Sequence, residues 1–376
     1  MRNFNIDLLR MVFAILVVVA HMSVMDLIPE FVAGPIVVFF FVLTGYFAVA
    51  SYERHKDSPQ SAGAFLVSKL MRVMPYLIVA AIVTFALQTI LQMDYYGYDP
   101  GESIVSSILS FFGDVSCLNM FGMGFIRGNV AVWFISGMMF GLMVTYPVLL
   151  RYGHSFSSYA APLIGVICIA TCLRLTGSLY GPYEEVWGVT KGMLISVGSI
   201  CLGYFAYECV SRLGSCTLTP FGRRLLGFIE LACYVLGVAM VASWSWINSG
   251  HLEGYLSKEW YEMMAICLMF VGAVLTCSGK TSLAVDISDR PALVKLSSFF
   301  ATGSLALYLS NYYQIYFVSK MMKTQPLEEQ ILLIIAFVGV SFVLVYIGGK
   351  LLQKYGGSLG SKMVVKPDFD TSHRSG

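Results

Sequence analysis

Asp7, Arg10 and His21, near the start of the chain, are the first residues whose types and spacing could do chemistry. Arg10 and His21 are eleven residues apart. On a helix that offset leaves them within about 20° of one another, with a rise of roughly 16 Å between them. Asp7 precedes Arg10 by three residues and can pair with it on the same face. One stripe then carries a cation at its start and an imidazole far along it. Imidazole takes and returns a proton near neutral pH, which suits a general base. The plainer alternative is a histidine that bonds a backbone carbonyl inside a helix bundle.

A second cationic pair follows in Ser68-Lys69-Leu70-Met71-Arg72-Val73-Met74-Pro75. Lys69 and Arg72, at i and i+3, share a face and can hold phosphate, Arg as a fork and Lys as a point charge. Interfacial snorkelling is the competing reading. Between the two cationic sites runs Phe39-Phe40-Phe41-Val42-Leu43-Thr44-Gly45-Tyr46-Phe47. Thr44 and Gly45 allow close helix approach and the phenylalanines give bulk, which alone describes a packing seam. Glu230 stands near the inner end, the start, of a later apolar run, where Arg223 or Arg224 could pair with it, or it could face a cavity.

The elements that position these groups follow from composition. Of 376 residues 57% are apolar and 12% charged, about half the charged share of soluble domains. Mean hydropathy is +0.74. Nucleic-acid binding, a secreted disulfide scaffold and disorder are excluded as the main theme. The expected fold class is an all-α polytopic membrane protein, because lipid leaves backbone polar groups no partners outside a helix. A helix needs about 20 apolar residues to cross. Ten stretches qualify: 7–28, 31–52, 73–92, 131–150, 159–175, 189–209, 226–247, 258–278, 299–320 and 329–350.

With the N-terminus in the cytoplasm, 18 of the 24 Lys and Arg residues fall on the cytoplasmic side, the exceptions being Arg127, Arg174, Lys191, Lys258, Lys320 and Lys323. That bias places both termini inside. The first apolar run is too long, and too charged at Asp7, Arg10 and His21, to be a cleaved signal. The membrane domain is expected over 1–350, with a disordered cytoplasmic tail over 351–376. The 102–113 segment reads as an interfacial helix against the outer leaflet. Two of the nine cysteines, Cys117 and Cys216, fall in loops, and no disulfide or metal spacing emerges. His154, His251 and His373 lack ligand partners, and Gly122-x-Gly124 with Gly128 has no βαβ setting for a nucleotide loop. The outer loops carry Tyr180, Tyr183, Glu185 and Trp187, which suit sugar rings but also suit a membrane–water belt.

Taken together, Arg10-x10-His21, Phe40-Phe41-Val42-Leu43-Thr44-Gly45 and Lys69-x-x-Arg72 resemble the signature of the membrane acyltransferase 3 family. Their order and spacing, and the ten spans, agree over essentially the whole chain. Trp133 and Leu307-Tyr308-Leu309 resemble weaker family features. The resemblance implies an O-acyltransferase that moves an acyl group, by default acetyl, from cytoplasmic acyl-CoA to a hydroxyl of an extracytoplasmic glycan or other envelope acceptor. It implies the cytoplasmic membrane of a bacterium, acyl-CoA as the donor substrate, and no permanently bound cofactor, metal or nucleic acid.

In that frame His21 is the general base, and Arg10, Lys69 and Arg72 hold the donor phosphates. Asp7, Phe40, Phe41, Thr44, Gly45, Tyr46, Trp133, Tyr308 and Asn311 support the pocket, with Thr44 and Tyr46 offering hydrogen bonds near the reacting centre. Three positions depart from the family pattern. Thr44 stands for Ser, Lys69 for the first Arg of Arg-x-x-Arg, and Asn311 for a frequent His, so a second catalytic His is not expected there. No fused hydrolase-like domain is expected within these residues. A transporter of a small solute or proton-coupled carrier remains open, as does a scaffold role, and the oligomeric state is not readable.

Overall fold

The computed structural model describes residues 3–56, 60–118, 120, 128–246 and 257–363, with side chains to Tyr355. The protein is an all-α membrane protein, with only one two-stranded hairpin among the described residues. Helices α1 (Phe4–Val24), α2 (Gly34–Arg54) and α3 (Ala62–Asp94) take up the first three apolar runs. Asn3 caps α1 by accepting from the backbone N–H groups of Asn5 and Ile6 at 3.0 and 3.4 Å. Pro35 sits in the first turn of α2, where its missing N–H costs nothing.

α4 (Pro100–Ser116) covers the segment expected as an interfacial helix, but it runs along α3 rather than flat on the surface. Gln88 donates to Ser110 at 3.0 Å and Gln92 to Ser106 at 3.1 Å, two antiparallel rungs one helical turn apart. Its face is inverted as membrane packing requires: Ser103, Ser107 and Ser110 are buried, while Ile104, Val105, Leu109 and Phe112 are exposed.

Next come α5 (Trp133–Ser155), α6 (Ala161–Thr176), α7 (Lys191–Ser215), α8 (Pro220–Trp246) and α9 (Lys258–Ser278). α10 (Pro291–Leu309), α11 (Tyr312–Met321) and α12 (Leu327–Met363) complete the chain. Nine helical stretches among the described residues are long and apolar enough to cross a bilayer. One of them, 130–176, doubles back. Gly153, at φ 50° and ψ −128°, adopts a backbone angle that only glycine takes comfortably, and a π-turn over Phe156–Ala160 follows. α5 then runs parallel to α7, from Gly141 beside Ser196 to His154 beside Glu208. α6 runs antiparallel, from Gly165 beside Gly198 to Cys172 beside Lys191. The nine stretches thus make ten passages.

Two packings position the site. α1 and α10 lie side by side and parallel: Asp7 meets Ser297 at one end and His21 meets Asn311 at the other, fourteen residues further along both helices. α2 and α7 cross at Gly45 and Gly203, where a Cβ built on Gly203 would lie 2.8 Å from the Gly45 Cα. The last helix continues past residue 350, where the tail was expected to begin; residues 364–376 and the loop residues Arg127 and His251 lie outside the described residues.

Candidate active site

His21 occupies the last turn of α1, and Asn311 the break between α10 and α11. The Asn311 side-chain NH2 donates to the carbonyls of Leu307 (2.9 Å) and Tyr308 (2.8 Å) in the turn before it. Both amide hydrogens are thereby engaged, so Oδ1 faces His21 and can only accept. The His21 Nδ1 that contacts Oδ1 must therefore carry the proton and donate it. Nε2 is left with its lone pair, and no hydrogen-bond partner for it exists among the described residues. Tyr312 meets the imidazole edge to face, with ring centres 5.0 Å apart and planes at 88°. An imidazole so held has one rotamer, one tautomer and one basic nitrogen, which is what a general base requires.

That ring lines a cavity of about 1000 Å³ on the side where α1 ends and α2 begins. Tyr312, Asp114, Trp133, Tyr183 and Glu185 share the wall, and the Lys258–Glu30 ion pair, at 2.7 Å, stands at it. Asp114 is buried and accepts from the backbone N–H of Asn129 at 2.8 Å. Asn129 in turn donates to Leu309 O at 2.7 Å, tying this wall to the end of α10.

The cationic residues gather at the opposite end of the bundle. Arg10 lies 3.8 Å from Asp7, whose carboxylate accepts a 2.5 Å hydrogen bond from Ser297. The Lys69 ammonium sits 5.0 Å above the Phe65 ring and is repelled by Arg72, Arg54 and Arg10. Arg54, at the end of α2, adds a further cation to this cluster. Four positive groups gathered at one end of the bundle, with Asp7 beside Arg10, favour a polyanion between them.

Between the two ends lies an aromatic layer. Phe13 and Phe39 are 4.6 Å apart, Phe40 and Phe134 6.1 Å, Phe41 and Phe134 4.4 Å, and Phe134 and Tyr308 5.3 Å. None of Arg10, Lys69 or Arg72 lines the His21 cavity.

The structure thus brings His21, Asn311 and Trp133 together, sets Asp7 beside Arg10 at the cationic end, and makes Phe40, Phe41 and Tyr308 the layer between. It does not bring Thr44, Gly45 or Tyr46 to the cavity. The Thr44 hydroxyl donates to Phe40 O at 3.0 Å on its own helix, Gly45 forms the α7 crossing, and Tyr46 packs on Phe47 and Tyr207. Glu230 accepts from Thr276 at 2.6 Å rather than pairing with Arg223 or Arg224. Asp114 and Tyr312 were missed. Asp114 ends a helix taken as interfacial, and Tyr312 is one of many belt-like tyrosines. Among the described residues no three His, Cys, Asp or Glu side chains converge as metal ligands.

Removing the amide tests the orientation. Asn311→Ala should lower turnover at His21 by about 10²-fold, since misplacing a catalytic group by an ångström can cost that much. Asn311→Asp, which keeps an acceptor at Nδ1, should retain more activity. Steady-state kinetics on the purified variants checks it.

Fold and site define a multi-pass membrane protein that holds an oriented imidazole at a cavity on one side and a cationic cluster on the other. Residues 3–348 match the family of the acyltransferase domain, acyltransferase 3, and the chain belongs to that family. Family membership supports acyl transfer as the general activity. No curated protein and no solved structure matches the chain.

Proposed function

We propose that the protein is an O-acyltransferase of a bacterial cytoplasmic membrane, carrying an acetyl group from cytoplasmic acetyl-CoA to a hydroxyl of an extracytoplasmic envelope glycan. The observation that carries the reading is the His21–Asn311 pair, which leaves Nε2 as the basic nitrogen of a ring lining a cavity roomy enough for a sugar hydroxyl. Arg10, Lys69 and Arg72, with Arg54 beside them, hold the diphosphate and the 3′-phosphate of the donor at the inner mouth. The pantetheine arm then reaches up the bundle. It must part the aromatic layer at Phe39, Phe40 and Phe134, so transfer includes a conformational step.

Nε2 takes the proton of the acceptor hydroxyl as its oxygen attacks the thioester carbonyl. The tetrahedral intermediate collapses, the C–S bond breaks, and the departing thiolate takes the proton from the imidazolium. The ester and free CoA are formed with no net proton change. Asn311 accepts from Nδ1–H throughout and stabilises the charged ring.

The donor end is tested by the phosphate grips. Lys69→Ala and Arg72→Ala should each weaken acetyl-CoA binding by roughly tenfold, because a charge-assisted hydrogen bond contributes about 1.5–3 kcal/mol. Their kcat at saturating donor should change little, and the affinity difference should shrink at high salt. Calorimetric titration at two ionic strengths measures this. The second reading is a carrier for a small solute, favoured by the one feature that transport also needs, a cavity closed from the other side by an aromatic layer. A carrier would move solute without cleaving any thioester.

A further inference from the structure

Between α6 and α7 the chain forms a hairpin in which Glu185–Val186 pairs with Val189–Thr190. Its two-residue turn is Trp187-Gly188, with φ of 52° and 78°. Both values are positive, the mark of a type I′ turn, whose first position favours Asn, Asp or Gly. A bulky residue there is a strained choice. The indole gains no burial in return: it is 74% exposed.

The hairpin does not hang loosely. At its base the buried Lys191 ammonium bonds the Glu184 carboxylate and the carbonyl of Tyr180, and reaches Ser178 O at 3.1 Å. Lys191 N donates to Glu184 O at 2.7 Å and Gly192 N to Pro182 O at 2.8 Å. Glu262, wholly buried, accepts from Ser178 Oγ at 2.6 Å and Leu179 N at 2.8 Å, fixing the same loop to α9. This rigid piece is also a wall of the His21 cavity, through Tyr180, Tyr183, Glu185 and Thr190. A strained, exposed indole thus stands on a locked support continuous with the acceptor cavity, whose wall carries two further exposed aromatics, Tyr180 and Tyr183.

The geometry points to Trp187 as a stacking platform for the glycan acceptor, an extended pyranose chain whose reacting sugar lies at His21 while a further sugar rests its C–H face on the indole. Strain at a position is retained where function uses it. Aromatic faces supply large contact area with little rotamer entropy to lose. The inference rests on the acceptor being a glycan, as proposed above, and names the element that selects chain length.

The experiment uses the full chain in proteoliposomes, with acetyl-CoA and envelope polysaccharide stripped of its esters by mild base, supplied as two-sugar and eight-sugar fragments. Trp187→Asn should raise KM for the eight-sugar fragment by about tenfold, the loss of one good aromatic contact. It should leave KM for the two-sugar fragment and acetyl-CoA binding unchanged. Because Asn accepts a positive φ readily, its melting temperature should equal or exceed that of the unaltered protein. Trp187→Tyr should recover part of the affinity. An unchanged KM for the long fragment in Trp187→Asn would overturn the inference. So would quenching of Trp187 fluorescence by brominated lipid, measured as the difference between the protein and its Trp187→Tyr variant, since that places the indole in the membrane belt. If the unaltered protein cleaves no acetyl-CoA with either fragment, the acyltransfer reading itself fails and takes the platform with it; a change confined to fragment-length preference leaves that reading standing.

Discussion

His21→Gln is expected to lower acyl transfer on the order of 10³-fold, within the range that a positioned general base contributes. Glutamine keeps the length of the side chain and can still donate to Asn311, so α1 and α10 should remain in register. What it lacks is a nitrogen that takes a proton and gives it back. Acetyl-CoA should bind the variant as it binds the unaltered protein, because the cationic cluster lies at the far end of the bundle, near Arg10. Acetylated acceptor measured by mass spectrometry, with CoA release followed in parallel, checks the split. Full turnover in the variant would move catalysis away from the imidazole.

The second large effect is on the fold. Gly203→Val, and equally Gly45→Val, should abolish folded protein. At the α2–α7 crossing a Cβ on Gly45 would sit 3.0 Å from the Gly203 Cα and closer still to the Ile200 carbonyl oxygen. These are backbone atoms, which cannot swing aside as a side chain can. The helices would have to separate, opening the core cluster that Phe41, Val42, Ile200 and Tyr204 share. Losses of more than about 4 kcal/mol follow from overpacking of this kind and are rare among single substitutions. Gly63→Ala is the control: nothing lies within 4 Å of a Cβ there, so it should be neutral or slightly stabilising. Detergent-solubilised yield and fluorescence-monitored gel filtration after heating separate the two cases. The same experiment decides why Gly45 sits in its motif, since a packing glycine fails by loss of protein and a pocket glycine by loss of activity.

The parts of this architecture written in single segments could be read directly. Unbroken apolar runs marked the passages, and the three-residue and eleven-residue offsets put Asp7, Arg10 and His21 on one stripe of α1. What could not be read were the partners across helices. Asn311 lies 290 residues from His21, and its amide looked like a lost catalytic histidine until α10 was seen to run parallel beside α1. Periodicity tells which residues share a face but not what that face meets. For the same reason Thr44 and Tyr46 seemed eligible for the reacting centre, while the structure turns one onto its own helix and the other toward Tyr207. α4 was misplaced because an apolar stripe signals lipid contact equally for a helix lying on the membrane and for one standing along α3. Only its serine face, bonded to Gln88 and Gln92, distinguishes them.

The central claim is that donor and acceptor are handled at opposite ends of one bundle, with His21 where they meet. Sealed, uniformly oriented proteoliposomes test it, with radiolabelled acetyl-CoA on the face bearing Arg10 and Lys69 and the glycan acceptor confined to the other compartment. The account predicts acetylated glycan on the acceptor side, one free CoA per ester on the donor side, and neither product with His21→Gln. Transfer that requires both substrates in the same compartment, or label that crosses with its thioester intact, would contradict it.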